Sequence, residues 1–188
     1  MSEAEGLPVG AVAPDAAASL VRPDGTTDRV SIGELVADGP VLLAFYTNDF
    51  SPDCVREWCS FRDYEWFALD GPVRVVGASR SRPGTHHRFI DRLDLSFPLY
   101  ADVDLELARG FDVAYRVFGL LERSRRSAFL LDAERTVRHV WLGDHAVDPT
   151  LDRPDLDDLR AAVEEIVGGG SADRSGGGGT VADTQAWD

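Results

Sequence analysis

Residues 41–63, VLLAFYTNDFSPDCVREWCSFRD, constrain this chain more than any other segment because they contain its only two cysteines. The continuous apolar run at residues 41–46 predicts a buried strand. Ser51 followed by Pro52 is typical of a helix N-cap and of the first helical position. The segment therefore predicts a strand, a short polar loop and a helix with Cys54 in its first turn.

The predicted position of Cys54 has a chemical consequence. The first turn of a helix presents unpaired backbone N–H groups and the positive end of the helix dipole, and both favour a thiolate over a thiol. The thiolate is the nucleophilic form of cysteine. Ser51 places a hydroxyl three residues before the sulfur, where it can donate to an anion or a bound oxygen. Because Asp53 opposes the thiolate by like-charge repulsion, a further cation has to come from elsewhere in the chain.

Cys59 follows Cys54 by five residues. On a straight α-helix such residues lie about 140° apart around the axis, and their Cα atoms are roughly 8.6 Å apart. An unstrained disulfide needs a Cα separation below about 7 Å. Either the two cysteines never form a disulfide, or the start of the helix unwinds to allow it, which suits a catalytic disulfide better than a structural one.

The segment FYTNDFSPDC resembles the peroxidatic loop of peroxiredoxins, Pro-x-x-x-Thr-x-x-Cys, and CVREWCSFRD resembles the bacterioferritin-comigratory, or peroxiredoxin Q, branch. The resemblance implies that Cys54 is the peroxidatic cysteine and Cys59 the resolving one. Thr47 stands where the family has proline, and Ser51 where it usually has threonine. Ser51 keeps the hydroxyl, whereas Thr47 lacks the rigid apolar shield that proline places over the sulfur.

Two further site residues are implied by the same resemblance. RSAFLLD resembles the family segment Arg-x-x-Phe-x-x-Asp, whose arginine lies beside the peroxidatic sulfur, so Arg126 is expected there as the missing cation. Arg125 is the alternative by one register position, and a solvated surface arginine is the other reading of the SRR cluster. Glu57 has the family's Cys-x-x-Glu spacing and is expected to orient Arg126, unless it is simply an exposed helix residue.

His86 and His87 form a tempting metal-binding pair. Adjacent residues diverge by about 100° on a helix, and no further ligand cluster is near, so metal binding is not expected. Trp58, between the cysteines, is predicted to be a packing residue.

The hydrophobic pattern predicts an α/β fold with a central mixed sheet flanked by helices. This order matches the thioredoxin-like fold of peroxiredoxins, with an N-terminal β-hairpin extension. The predicted strands lie at residues 19–21, 29–31, 41–46, 73–78, 97–100, 127–131 and 137–142, the last two as a hairpin. A short helix is predicted to start at the capping box of Ser31 and Glu34, and a second helix to run from Ser51 to about Leu69. Further helices are predicted at residues 83–93, 104–109 and 154–167.

Composition narrows the class of protein. The net charge is −14, which argues against nucleic acid and anionic membranes as partners. No apolar run approaches a membrane span, and the N-terminus lacks the pattern of a signal peptide, so a cytoplasmic location is expected. Lysine is absent, and this acidity resembles that of halophilic proteins. Arginine-rich codon bias with ordinary acidity is the alternative.

Residues 1–167 are expected to form one peroxiredoxin-like domain. The composition changes at Gly168, and residues 168–188 read as a glycine-rich flexible tail, with Trp187 as its one large apolar residue.

The function implied is a thiol-dependent peroxidase, an antioxidant enzyme that reduces hydrogen peroxide or organic hydroperoxides. The expected partners are a peroxide and a thioredoxin-like dithiol reductant, without metal, haem or flavin, in a monomer or weak homodimer. Two alternatives remain: a thiol–disulfide oxidoreductase on the same fold, disfavoured because Cys-x-x-Cys is absent, and a non-catalytic redox-sensing or partner-binding domain.

Overall fold

The computed structural model describes residues 5–64, 73–117, 121–143 and 154–169. None of the helices in these ranges is long and apolar enough to cross a membrane. The described residues form strands β1 (Ala17–Val21), β2 (Thr27–Ser31), β3 (Val41–Phe45), β4 (Arg74–Ser79), β5 (Leu99–Ala101), β6 (Ala114–Val117), β7 (Leu121–Ser124), β8 (Ser127–Leu131) and β9 (Val137–Leu142), and helices α1 (Ile32–Val36), α2 (Pro52–Asp63), α3 (Pro83–Leu93), α4 (Glu106–Gly110) and α5 (Leu156–Gly169).

A mixed sheet forms the centre of the described chain, in the order β2-β1-β5-β4-β3-β8-β9. Strands β3, β4 and β5 run parallel, and β8 pairs antiparallel with β3. The predicted mixed sheet with flanking helices is confirmed. The predicted N-terminal hairpin, β1–β2, is also confirmed, and it extends this sheet because β1 pairs with β5.

Strand β3 is buried along its whole length, which explains its continuous apolar run. Successive side chains of a strand point to opposite faces of a sheet. Leu43 and Phe45 pack in one core cluster, whereas Leu42, Ala44 and the following Tyr46 pack in a second cluster. The second cluster also contains residues of α2, so this helix lies on the face of the sheet that Tyr46 enters.

Helix α2 begins as predicted and ends earlier. Ser51 is the N-cap and Pro52 the first helical residue. The expectation of a helix to about Leu69 is wrong for its described part, because the helix ends at Asp63 and Tyr64 is extended, with φ −87° and ψ 98°. The Tyr64 hydroxyl donates to Asp157 of α5, and this hydrogen bond links the end of α2 to α5. Residues 65–72 lie outside the described ranges.

The bounds of the other predicted helices and strands agree with the structure to within a few residues. The capping box of Ser31 and Glu34 is present, and helix α3 and the β8–β9 hairpin have the predicted bounds. The small β6–β7 hairpin was not predicted; its strands are short and form a separate sheet of two strands within the described residues. Helix α5 extends through Gly169, two residues into the predicted tail. The remainder of that tail, with Trp187, lies outside the described residues.

Candidate active site

Cys54 lies in the first turn of α2 and is completely buried, with an exposed fraction of 0%. Its backbone N–H donates to the Oγ of Ser51 over 3.3 Å. A hydroxyl that accepts this bond still has its own hydrogen to donate. The start of α2 therefore combines the Cys54 sulfur, a capping hydroxyl and the positive end of the helix dipole.

Arg126 is the cation beside this sulfur. Its Nη2 donates to the Sγ of Cys54 over 3.0 Å, and the residue has an exposed fraction of 0%. The pairing of β3 with β8, in which Phe45 lies opposite Ser127, brings Arg126 to the end of β3. Arg125 instead directs its Nε to the backbone oxygen of Gly143 over 2.7 Å. Of the two register positions, the structure therefore places Arg126 at the sulfur.

Glu57 lies one helical turn after Cys54 and faces the same guanidinium. Its Oε2 is 3.3 Å from the Nη1 of Arg126, and its exposed fraction is 3%. The guanidinium thus lies between the carboxylate of Glu57 and the sulfur of Cys54. Because the guanidinium is planar and rigid, an ion pair on one side restricts the direction of the nitrogens on the other.

Thr47 also reaches the sulfur. Its Oγ1 is 3.6 Å from the Sγ of Cys54, either atom being able to donate, and only 5% of the residue is exposed. Thr47, which stands where the family has proline, therefore still covers the sulfur. Its contact with the sulfur is polar, whereas a proline would provide an apolar shield.

Cys59 occupies the same regular helix and is only partly buried. Both cysteines are free thiols. An unbroken helix implies the Cα separation of about 8.6 Å expected from ideal geometry. Between them Trp58 is fully buried and packs edge-on to Tyr46, with ring centroids 5.1 Å apart, so its predicted packing role is confirmed.

The sequence did not predict a buried polar network formed by Tyr46, Asp49 and His86. The hydroxyl of Tyr46 donates to the Oδ1 of Asp49 over 2.7 Å, and the Oδ2 of Asp49 lies 2.9 Å from the Nδ1 of His86. Burial, followed by the charge of Asp49, raises the pKa of Tyr46 well above its ordinary value. Forty residues separate Tyr46 from His86, so no local pattern could have revealed the contact.

The side chains of His86 and His87 contact different partners. His86 is buried, with its Nε2 3.0 Å from the backbone oxygen of Tyr100, whereas the Nε2 of His87 lies 3.0 Å from the Oγ1 of Thr27. Among the residues that the structure describes, no group of three or more His, Cys, Asp or Glu side chains is arranged to hold a metal ion.

This arrangement suits a reaction at sulfur. A thiolate at Cys54 would be stabilised by the guanidinium of Arg126, by the helix start and by nearby hydroxyls. The same donors can hold the oxygens of a small bound molecule and stabilise negative charge that develops on them.

Comparisons with known proteins agree with this chemistry. The AhpC/TSA family model matches residues 9–140. A Mycobacterium tuberculosis protein provisionally named a peroxiredoxin is 32% identical over 149 residues, covering 78% of this chain and 95% of that protein. Chloroplastic peroxiredoxin Q of Gentiana triflora is 33% identical over 103 residues, which are 54% of this chain and 46% of that protein.

A solved structure shows the same fold. The crystal structure of peroxidoxin BcpB from Mycobacterium tuberculosis has a TM-score of 0.68 and 27% identity, covering 85% of this chain and 98% of that one. The central mixed sheet with flanking helices is therefore that of the thioredoxin-like peroxiredoxins. The chain belongs to the AhpC/TSA family, and it is a thiol-dependent peroxidase of the peroxiredoxin Q, or bacterioferritin-comigratory, type.

Proposed function

We propose that Cys54 is the peroxidatic residue of this enzyme. Its thiolate attacks one oxygen of a hydroperoxide, an S–O bond forms and the O–O bond breaks, which leaves a sulfenic acid on Cys54. The departing oxygen takes up a proton and leaves as water or an alcohol. The observation that supports this assignment most strongly is the 3.0 Å contact between the buried Arg126 guanidinium and the Cys54 sulfur.

Arg126 and Ser51 are proposed to hold the peroxide oxygens and to stabilise the charge that develops on the leaving oxygen. Glu57 orients Arg126, as their 3.3 Å contact suggests. Thr47, whose Oγ1 is 3.6 Å from the sulfur, is proposed to support the bound substrate.

Cys59 is proposed to be the resolving residue. Its thiol condenses with the sulfenic acid of Cys54, forming an intramolecular disulfide and releasing water. A dithiol of the thioredoxin type then reduces the disulfide by thiol–disulfide exchange. Because α2 holds the cysteines too far apart, the first turns of this helix have to unwind before the disulfide forms.

The experiment that tests this scheme is a peroxide titration of the reduced protein by stopped flow, with mass spectrometry of the products. Cys54→Ser should abolish the reaction, because a serine hydroxyl is a much weaker nucleophile near neutral pH. Cys59→Ser should still react once and leave a sulfenic acid that dimedone traps. Loss of the first oxidation in Cys59→Ser, with its retention in Cys54→Ser, would reverse the two roles.

The same titration separates the alternative functions. A thiol–disulfide oxidoreductase would exchange disulfides readily and consume little peroxide. A non-catalytic sensor or binding domain would be oxidised once and would not turn over with a dithiol.

The domain organisation, location and assembly of the enzyme are proposals too. Residues 1–167 would form the catalytic domain, and residues 168–188 a flexible tail. The 33 acidic residues against 19 basic ones support a halophilic protein. A cytoplasmic location and a monomer or weak homodimer complete the proposal.

A further inference from the structure

The hydroxyl of Thr47 lies inside the site, next to the sulfur that the proposed reaction oxidises. Its Oγ1 is 3.6 Å from the Sγ of Cys54, and only 5% of the residue is exposed. The sulfur is the only hydrogen-bond partner that the described residues offer to this hydroxyl. Because a buried hydroxyl without a partner is costly, Thr47 has to form its hydrogen bond with the sulfur.

The backbone that leads into Thr47 is held from two sides. The N–H of Tyr46 donates to the backbone oxygen of Ala78 over 3.0 Å. The backbone oxygen of Tyr46 accepts from the Oγ of Ser124 over 2.9 Å. Thr47 therefore reaches the sulfur from a fixed position at the end of β3, as a preorganised hydrogen-bond donor requires.

The direction of this hydrogen bond follows from the charge of the sulfur. Arg126 donates to the same sulfur over 3.0 Å, and its guanidinium is always charged. A thiolate at Cys54 has no hydrogen to give, so in that state the Thr47 hydroxyl is the donor. The S–H group of a thiol is only a weak donor, whereas a hydrogen bond to a charged acceptor is about twice as strong as one between neutral groups. The contact with Thr47 therefore stabilises the thiolate more than the thiol.

We propose that Thr47 is a catalytic residue of the peroxidase site. In the reduced protein its hydroxyl donates to the Cys54 thiolate, as a second donor beside Arg126. A proline side chain, which the family has at this position, has no group that can donate such a bond. This inference rests on the proposed function of Cys54 as the peroxidatic residue.

A second donor has two opposite effects on the reactivity of Cys54. It increases the ionised fraction of the thiol, because it favours the charged form. It also makes each thiolate a weaker nucleophile, since nucleophilicity falls as a thiolate is stabilised, with a Brønsted slope of about 0.4–0.5. Loss of the hydroxyl should therefore lower the amount of thiolate and raise the reactivity of each thiolate. Loss of packing alone does not predict this pair of changes.

Two measurements in a Cys59→Ser background test the proposal, because Cys54 is then the only thiol of the chain. Ultraviolet absorbance gives the ionised fraction, and alkylation by iodoacetamide gives the reactivity, both at the pH at which the parent protein is half ionised. Thr47→Val keeps the shape of the side chain and loses the hydroxyl. It should lower the ratio of thiolate to thiol by about tenfold, the usual effect of one hydrogen bond to a charged group. Its alkylation rate per thiolate should rise by about threefold.

Thr47→Ser is the matched control, because it keeps the hydroxyl and loses only a methyl group. It should resemble the parent protein in both measurements. An unchanged thiolate fraction in Thr47→Val would overturn the proposal, and so would an equal loss of thiolate in Thr47→Ser. A lower thiolate fraction without a higher rate per thiolate would also overturn it. Should Thr47→Val fail to fold, Thr47→Ala removes the same hydroxyl and carries the same expectations.

Oxidation by hydrogen peroxide separates this inference from the proposed function. If Cys54 of the parent protein does not react with peroxide, the proposed function fails, and the absorbance and alkylation results still decide whether Thr47 donates to the thiolate. If Cys54 is oxidised but Thr47→Val changes neither measurement, the proposed function stands and the role of Thr47 is wrong.

Discussion

Gly77 of β4 lies directly against the indole ring of Trp58. A Cβ at Gly77 would be 2.5 Å from the Cζ2 of Trp58 and 2.6 Å from the Cδ2 of Leu99, closer than side-chain atoms pack. Trp58 stands between the two cysteines on α2. The absence of a side chain at Gly77 therefore lets α2 lie at its observed distance from the sheet.

Gly77→Ala should displace Trp58 and with it α2. Overpacking of a tight core typically costs about 1–3 kcal/mol of stability. Urea denaturation of the reduced protein should show this loss, and peroxide oxidation of Cys54 should slow because the sulfur moves relative to Arg126. Gly84→Ala on α3 is the control, since a Cβ there meets nothing within 4 Å and alanine favours helix. Equal stability of the two variants would mean that the sheet yields at Gly77 without strain.

Arg126→Met should lower the rate of peroxide oxidation by roughly 10²–10³-fold, the usual effect of removing one donor that stabilises developing charge. Breaking a buried ion pair also destabilises a protein by about 3–5 kcal/mol, because Glu57 keeps its buried charge. The rate should therefore be measured at low temperature on protein shown to be folded. Arg125→Met, which loses a contact with the Gly143 oxygen, is the matched control and should retain most of the rate.

A second variant separates catalysis from stability at this pair. Adding Glu57→Gln to Arg126→Met should recover part of the stability, since no unpaired charge remains, without recovering the rate. Recovery of both would show that Arg126 supports the fold of the site and has no direct part in the reaction.

The sequence predicted the parts of the site that depend on local structure. The N-cap at Ser51 and the burial of β3 follow from capping and hydrophobic patterns over a few residues, and both are present. Arg126 was predicted through its resemblance to a family segment, because sequence chemistry alone could not distinguish it from Arg125. Only the register of β3 against β8 places one arginine at the sulfur and its neighbour elsewhere.

Contacts between distant segments could not be predicted. His86 looked like half of a metal-binding pair, because nothing in the neighbouring residues indicates that Asp49 and the Tyr100 carbonyl enclose its ring. The close approach of Gly77 to Trp58 likewise depends on the packing of α2 on the sheet. Such relationships arise from tertiary packing, which leaves no periodic signal in one sequence.

The acidity of the chain gives a prediction about salt. With 33 acidic and 19 basic residues, charge repulsion should destabilise the fold at low ionic strength. Simple screening is nearly complete at a few tenths molar salt, where the Debye length is already below about 8 Å. A halophilic protein should gain melting temperature further in molar KCl. A melting temperature that levels off well below about 1 M KCl would indicate ordinary acidity.

The last prediction is that the first turns of α2 unwind when the disulfide forms. In the reduced protein the helix begins with hydrogen bonds from Cys54 and Val55 to Ser51, at 3.3 and 2.9 Å. Bridging Cys54 to Cys59 requires a Cα separation below about 7 Å, whereas the helix holds about 8.6 Å. The helix must therefore lose several backbone hydrogen bonds, each with a net contribution of roughly 1 kcal/mol.

Amide hydrogen exchange measures this unwinding directly. Amides of residues 55–61 should be protected in the reduced protein and exchange faster after one equivalent of peroxide, whereas those of Phe89 and Ile90 in α3 should not change. Cys59→Ser provides the control, because its Cys54 is oxidised without a disulfide and α2 should stay protected. If residues 55–61 are equally protected in both redox states, with the disulfide verified by mass, then α2 accommodates the bond without unwinding and this mechanism is wrong.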